Sequence, residues 1–241
     1  MADSQVEFDI TDQILEAAEK YISPERLANY YVLARGNRKI GLLLYERNTE
    51  LSEALYGVMQ WLEVALRNAI HSVINERFGH ADWYDKIGLA DSEREAVKKA
   101  KESIEEAGEI VTSARVIAEV NFGFWVRLCG GYYDKTVWSE YIRRLFPIRI
   151  KRKALHKRLM DLKSLRNRIA HHQRIVGGKR DLPRDYADIL ETIAWLSPEI
   201  SLWVAATNCF LARAEKKLRR LPKPEAAAKS TAAPIAPAPE S

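Results

Sequence analysis

Apolar residues recur at spacings of three and four along most of the chain, and polar residues fill the positions between them. The longest such stretch runs from about residue 50 to 78, where Leu51, Leu55, Val58 and Leu62 begin a continuous apolar stripe. This is the period of a helix with one buried face, and no segment alternates apolar and polar residues as a half-buried strand does. The pattern therefore predicts an all-α protein built as a multi-helix bundle.

Capping residues and helix breakers divide this pattern into segments. Thr11 and the Ser-Pro-Glu sequences that begin at Ser23 and Ser197 are typical helix starts, because a side-chain oxygen caps the first turn and proline fits its first position. The pairs Gly36-Asn37 and Gly130-Gly131 predict breaks. After a first helix that Thr11 caps, the predicted helices are 24–33, 39–47, 50–78, 92–109, 114–128, 135–146, 148–173, 184–196 and 198–218.

Composition predicts one folded domain followed by a tail. We expect a single helical domain over residues 1–213, and residues 214–241 hold the end of the last helix and an Ala/Pro-rich sequence without aromatic residues. Such a sequence buries too little apolar surface to offset the entropy lost on ordering, so it is predicted to be disordered.

Bulk features favour a cytoplasmic protein that needs no membrane, metal or cofactor. No apolar run approaches the roughly 20 residues that span a bilayer, and the first residues are acidic where a secretion signal would be basic and then apolar. Cys129 and Cys209 have apolar neighbours and no partner at the spacing of a metal site. Both are expected to be reduced core residues.

Positive charge is concentrated in one segment. The net charge is +5, yet residues 143–168 contain eleven Lys or Arg against one acidic residue, a local balance of 11 − 1 = +10. A cationic surface of this kind suits RNA, since each neutralised phosphate releases counterions. A solvated helix face with no ligand explains the charge equally well. The candidate RNA-binding residues are Arg149, Lys151, Arg152, Lys153, Lys157, Arg158, Lys163, Arg168 and Arg174.

The sequence LRNRIAHHQRI at residues 165–175 contains the groups needed to cleave an RNA phosphodiester. His171 can transfer a proton near neutral pH, and Arg166 can stabilise phosphoryl charge. The amide of Asn167 can orient the imidazole or the guanidinium. At about 100° per residue, Asn167 and His171 share a helix face, whereas Arg166 lies about 140° from His171. Two copies of the segment facing each other across a two-fold axis would ease this geometry.

Five segments, in this order, resemble a known family. Residues 21–27 (YISPERL), 43–48 (LLYERN), 63–68 (EVALRN), 121–125 (NFGFW) and 166–172 (RNRIAHH) are similar to the conserved elements of the Abi-like, or abortive-infection, proteins. The last segment also matches the R-N-x-x-x-H motif of the HEPN superfamily. Each match is short, and together they cover the chain from about residue 21 to 174.

The resemblance implies a HEPN-like helical bundle that cleaves RNA without a metal, in phage defence or as a toxin-like growth inhibitor. It assigns proton transfer to His171, phosphate stabilisation to Arg166 and an orienting role to Asn167, often with two motifs paired in a homodimer. His172 is expected to cap local structure, although it is also a candidate substrate contact or substitute for His171. Two other functions remain open: a non-catalytic protein that binds a small RNA, and a protein-interaction module.

A second polar group lies within the long predicted helix. Glu63, Arg67 and His71 are spaced by four and share one face, and Arg67 to His71 resembles the HEPN motif but is one residue short. The three residues are expected to form either a salt-bridged helix face or a supporting layer that orients Arg166 and His171.

Aromatic residues from 122 to 138 form the remaining cluster of note. They can stack on bases, but clusters of this kind more often fill a core, which is the role we expect. The residues are Phe122, Phe124, Trp125, Tyr132, Tyr133 and Trp138.

Overall fold

The computed structural model describes residues 10–218, with the side chains of 10–215, and all regular secondary structure in that range is helical. The predicted all-α class is therefore confirmed. The predicted disordered tail lies outside the described residues.

The α-helices are α1 (Asp12–Ile22), α2 (Pro24–Leu33), α3 (Arg38–Phe78), α4 (Asp91–Glu106), α5 (Ser113–Glu119), α6 (Phe122–Leu128), α7 (Arg152–Ala170), α8 (Leu182–Leu196), α9 (Pro198–Thr207) and α10 (Phe210–Leu218). Within residues 10–218, no helix combines the length and the apolar character that a bilayer crossing requires.

Contacts divide the chain into two compact units. Of the described residues, one unit comprises 10–47 together with 214–218, and the other is Asn48–Arg213. The sequence favoured a single domain over residues 1–213, whereas the observed boundary falls within α3. Every candidate site residue belongs to the second unit.

The first unit follows its local capping signals. The hydroxyl oxygen of Thr11 accepts a hydrogen bond from the Ile14 amide, and that of Ser23 accepts one from the Arg26 amide. These bonds satisfy amide groups that a helix start leaves without partners, so the predicted starts of α1 and α2 are confirmed.

Helix α3 runs without interruption across residues 48–49, where the sequence predicted a break. Asn48 lies at this point, and asparagine side chains often bond to their own backbone and end a helix. Here that side chain is buried and bonds instead to backbone groups of residues 173–176. The local backbone therefore keeps its helical hydrogen bonds.

Two predicted helices are instead each divided by an asparagine cap. Residues 114–128 form α5 and α6, because Val120 is extended and the Asn121 side chain accepts a hydrogen bond from the Phe124 amide at 3.2 Å. Residues 198–218 form α9 and α10, and the Asn208 side chain accepts one from the Phe210 amide at 2.8 Å. Side-chain capping outweighs the continuous apolar period at both breaks.

The segment before α7 is less regular than predicted. Residues 135–146 contain a π-helical turn, Asp134–Trp138, and a 3-10 turn, Ile142–Leu145. Phe146 is extended, as the residue before a proline tends to be, and Lys151 is extended as well, so α7 begins at Arg152 rather than near residue 148.

The predicted stripe of α3 forms the core of the second unit, where Leu55, Leu62, Leu66 and Ile70 are fully buried. The aromatic cluster is also core, as predicted, except that Tyr132 is exposed. Of the two cysteines, both reduced, Cys129 is buried as expected and Cys209 is exposed.

Candidate active site

The residues of the RNRIAHH segment lie at the C-terminal end of α7, where the helix stops in a well-defined cap. The amide of His172 donates to the Ile169 carbonyl and that of Gln173 donates to the Arg168 carbonyl. This pairing is a Schellman cap, whose turning position is usually glycine. His172 occupies that position with a φ of 53°, so its backbone performs the capping expected from the sequence.

A surface pocket of about 340 Å³ opens beside this helix end. Its residues on α7 follow helical spacings of three and four, which place them on one face. The volume is in the range of sites for small ligands. The lining residues are Met160, Lys163, Ser164, Asn167, Arg168, His171 and Gln173.

The pocket brings an imidazole, an amide and two cations together. His171 is exposed and Asn167 lies one helical turn before it, on the shared face that the periodicity predicted. Lys163 and Arg168 are half-buried, so their charges are screened less than those of fully exposed side chains. The guanidinium of Arg168 also donates to the carbonyl of Arg174, which holds it at the mouth of the pocket.

Arg166 is not among the described residues that line the pocket. Its guanidinium Nε lies 3.6 Å from Glu63 Oε2, and both side chains are half-buried between α7 and α3. The angular separation of Arg166 from His171 thus persists in the structure. Glu63 contacts Arg166 as the supporting-layer interpretation expected, whereas His171 lines the pocket and Arg166 does not.

The other two residues of the polar face on α3 have different partners. Arg67 donates to the Ala118 carbonyl at 3.3 Å and to the Asn68 side chain. Nδ1 of His71 accepts a hydrogen bond from Trp83 Nε1 at 3.0 Å, and burial lowers the pKa of His71. A salt-bridged face of Glu63, Arg67 and His71 is therefore not the arrangement that the structure shows.

The loop after α7 is fixed by Asn48, the last residue of the LLYERN segment, for which the sequence pattern predicted no individual role. Asn48 Oδ1 accepts from the amides of Ile175 and Val176 at 2.6 and 3.3 Å, and Nδ2 donates to the Gln173 carbonyl at 3.4 Å. The sequence signal was an asparagine at a core-facing position of a long helix, where it needs a hydrogen-bonding partner.

Lys163 approaches the pocket over the NFGFW segment. A Cβ atom at Gly123 would lie 3.2 Å from Lys163 Cε and 3.0 Å from Asn121 Oδ1. The absence of a side chain at Gly123 therefore leaves room for Lys163 to cross α6, which gives this glycine a role in placing the pocket cation.

The nine candidate RNA-binding residues differ in their surroundings. Arg152 is bound to Asp134 and to the Cys129 carbonyl, and Arg158 is paired with Asp188 and Glu191 beneath Trp195, so both are engaged in holding the bundle. Lys163, Arg168 and Arg174 are half-buried at or near the pocket. The exposed members are Arg149, Lys151, Lys153 and Lys157.

A second polar cluster is centred on Glu93 of α4 and includes Tyr133 of the aromatic cluster. The carboxylate of Glu93 is buried and accepts hydrogen bonds from Tyr133, Ser92 and Arg127. Burial alone would raise the pKa of Glu93, but these hydrogen bonds and the nearby guanidinium outweigh it and lower the pKa. All three donors converge on this one buried carboxylate, which is typical of a structural network.

Among residues 10–218, no group of three or more His, Cys, Asp or Glu side chains is arranged to hold a metal ion.

Comparisons with protein-family models, with curated proteins and with solved structures find no match for this chain. The likeness to Abi-like and HEPN proteins consequently rests on the short segments quoted above.

Proposed function

We propose that this protein is an endoribonuclease of HEPN type, which cleaves RNA without a metal ion and acts in phage defence or as a toxin-like growth inhibitor. The observation that carries the proposal is the pocket at the end of α7. It combines the His171 imidazole, the Asn167 amide and the cations of Lys163 and Arg168 around an open volume of about 340 Å³.

The chemistry begins with the 2′-OH of the substrate ribose. A base removes its proton, the 2′-oxygen bonds to phosphorus, and the bond from phosphorus to the 5′-oxygen breaks as that oxygen takes up a proton. The products are a 2′,3′-cyclic phosphate and a free 5′-OH. His171 is the proton-transfer residue, and Lys163 and Arg168 stabilise the charge on the phosphoryl oxygens. Asn167 orients the substrate or the imidazole by hydrogen bonding.

A homodimer would supply the groups that one pocket lacks. The residues that line the pocket include His171 but not Arg166. Two-fold pairing of α7 ends would bring Arg166 and a second set of cations from the partner to the scissile phosphate beside His171. Arg166, anchored by Glu63, then acts either on the partner's substrate or by holding α7 in place.

Mixing two inactive variants tests the shared site. Arg166→Ala and His171→Ala are purified separately, mixed and allowed to exchange subunits. If the site is composite, mixed dimers regain cleavage because they contain one site with both groups intact. Cleavage that stays absent, in mixtures shown to contain mixed dimers, would place both residues in the same protomer's site.

The reaction itself is tested with purified protein, a pool of RNA oligonucleotides and excess EDTA. We expect cleavage to persist in EDTA, the products to carry 2′,3′-cyclic phosphate, and 2′-O-methyl substitution at the cut site to stop the reaction. Products with 3′-OH ends, or loss of cleavage in EDTA that only added metal restores, would refute the mechanism.

A non-catalytic RNA-binding protein, the partner of a small RNA, is the second candidate. It is favoured by the exposed cations Arg149, Lys151, Lys153 and Lys157, which lie just before α7 or in its first two turns. Neutralising several phosphates would make RNA affinity fall steeply with salt. Salt-dependent binding with no product from any RNA, at protein concentrations above the Kd, would favour this function over cleavage.

A further inference from the structure

We infer that Asn48 is a positioning residue for the pocket at the end of α7, because it fixes the segment that forms one side of that pocket. The inference rests on the proposed function for its catalytic consequence. Its structural part, the fixing of residues 173–176, stands on hydrogen bonds and burial alone.

The Asn48 side chain uses its donor and its acceptor on three backbone groups. Its oxygen accepts from two consecutive amides, Ile175 and Val176, and its nitrogen donates to the Gln173 carbonyl. Asn48 is only 5% exposed, and Ile175 and Val176 are also buried, so water cannot easily replace these bonds. An alanine offers neither group, and an aspartate keeps the acceptor but loses the donor.

The fixed segment connects directly to the pocket. Gln173 lines it, and the carbonyl of Arg174 accepts from the guanidinium of Arg168, another lining residue. Movement of this segment would therefore shift a wall of the pocket and one of its two cations.

The segment is held from both ends. On one side the amide of Gln173 closes the cap of α7, just after the left-handed turn at His172. On the other side Asn48 holds Gln173, Ile175 and Val176. His171 lies immediately before this doubly anchored turn. Loss of the Asn48 anchor leaves α7 intact but frees the chain that follows His171.

Asn208 offers a matched control in the same unit. Its side chain also bonds to α3, since Nδ2 donates to the Ala54 carbonyl at 3.0 Å, and Oδ1 accepts from the nearby Phe210 amide. It is half-buried and does not line the pocket. Asn208→Ala thus removes comparable hydrogen bonds without touching the segment after His171.

The experiment measures single-turnover RNA cleavage, RNA affinity and amide hydrogen exchange for wild type, Asn48→Ala, Asn48→Asp and Asn208→Ala. For Asn48→Ala we expect the cleavage rate to fall by about 10- to 100-fold, as for small displacements of reacting groups, with the Kd for RNA within about twofold of wild type. Exchange should accelerate at residues 173–176 and not within α7. Asn208→Ala should cleave within about twofold of the wild-type rate.

Asn48→Asp keeps the test decisive if the alanine variant does not fold. It retains an acceptor for the Ile175 and Val176 amides but loses the bond to the Gln173 carbonyl, so we expect a smaller fall in rate with unchanged affinity. Equal rates for Asn48→Ala and Asn208→Ala, or unchanged exchange at residues 173–176 in both Asn48 variants, would overturn the inference. If the wild type cleaves no RNA, the proposed function fails, and the exchange data alone decide whether Asn48 fixes the segment.

Discussion

Two segments of this protein contain Arg-Asn followed by His, and the structure places them in opposite environments. The first, from Arg67 to His71, lies inside α3, which continues for seven residues beyond the histidine to Phe78. His71 is half-buried and bonded to Trp83. The second, from Arg166 to His171, reaches the end of α7, and its histidine is exposed in an open pocket.

The difference shows that position within a helix determines what such a segment can do. Inside α3 the helix surface is covered by neighbouring elements, so the imidazole becomes a hydrogen-bond acceptor for a buried indole. At the end of α7 the chain turns away at His172, which exposes the preceding imidazole and brings Gln173 back to the same pocket. The capped helix end, rather than the residue types alone, creates the candidate site.

The largest expected effect is on cleavage by the two histidine variants. His171→Ala should lower the single-turnover rate of RNA cleavage by at least about 100-fold, because it removes the proton-transfer group. His71→Ala should cleave at close to the wild-type rate, measured per folded molecule below its unfolding temperature. The contrast fails if both variants lose activity to the same extent or if His171→Ala remains active.

Stability should change in the reverse order. His71→Ala leaves the fully buried indole Nε1 of Trp83 without its acceptor, which costs about 1–3 kcal/mol of the free energy of unfolding. His171→Ala removes an exposed side chain, so its effect should stay within about 0.5 kcal/mol. Urea denaturation of both variants measures this, and equal unfolding free energies would contradict the contrast.

A smaller effect is expected at the turn that exposes His171. His172 has a φ of 53°, a conformation that costs a side chain about 1 kcal/mol and glycine very little. Glycine loses more backbone entropy on folding, which offsets part of the gain. We expect His172→Gly to raise the unfolding free energy by about 0.5 kcal/mol, and a clear loss of stability would show that the His172 side chain contributes more than its backbone.

The smallest effect concerns pH. Burial lowers the pKa of His71 in the folded state, so the unfolded chain takes up a proton more readily as the pH falls. The stability that neutral His71 provides is complete above its unfolded-state pKa of about 6.5 and is lost as the pH falls toward its folded-state pKa. His71→Gln has no proton to take up there, so its stability should decline less between pH 7 and 5.5 in chemical denaturation. An identical decline would assign the pH dependence to other groups.

Much of the fold could be predicted because its signals are local. The Ser23 and Ser197 caps and the apolar stripe of α3 each depend on residues within a few positions of one another. The continuity of α3 could not be predicted in this way, since it depends on a bond between Asn48 and residues about 125 positions away. Similarly, the continuous apolar period of residues 114–128 and 198–218 did not predict the helix caps at Asn121 and Asn208.

The site was predictable to the extent that helix geometry determines it. Periodicity put Asn167 and His171 on one face and Arg166 on another, and the structure has this arrangement. The contributions of Gln173 and Asn48 come from a loop and a distant helix. No local pattern in the sequence places either of them at the pocket.

The most direct test of the central claim is a titration of the protein with a 2′-O-methyl RNA oligonucleotide, followed through the histidine ring signals in ¹H–¹³C NMR spectra. Such an RNA can bind but has no 2′-OH to attack phosphorus. We predict that the His171 signal shifts and saturates with RNA while the His71 signal stays in place. A stationary His171 signal at saturating RNA would contradict a ribose-phosphate site at the end of α7.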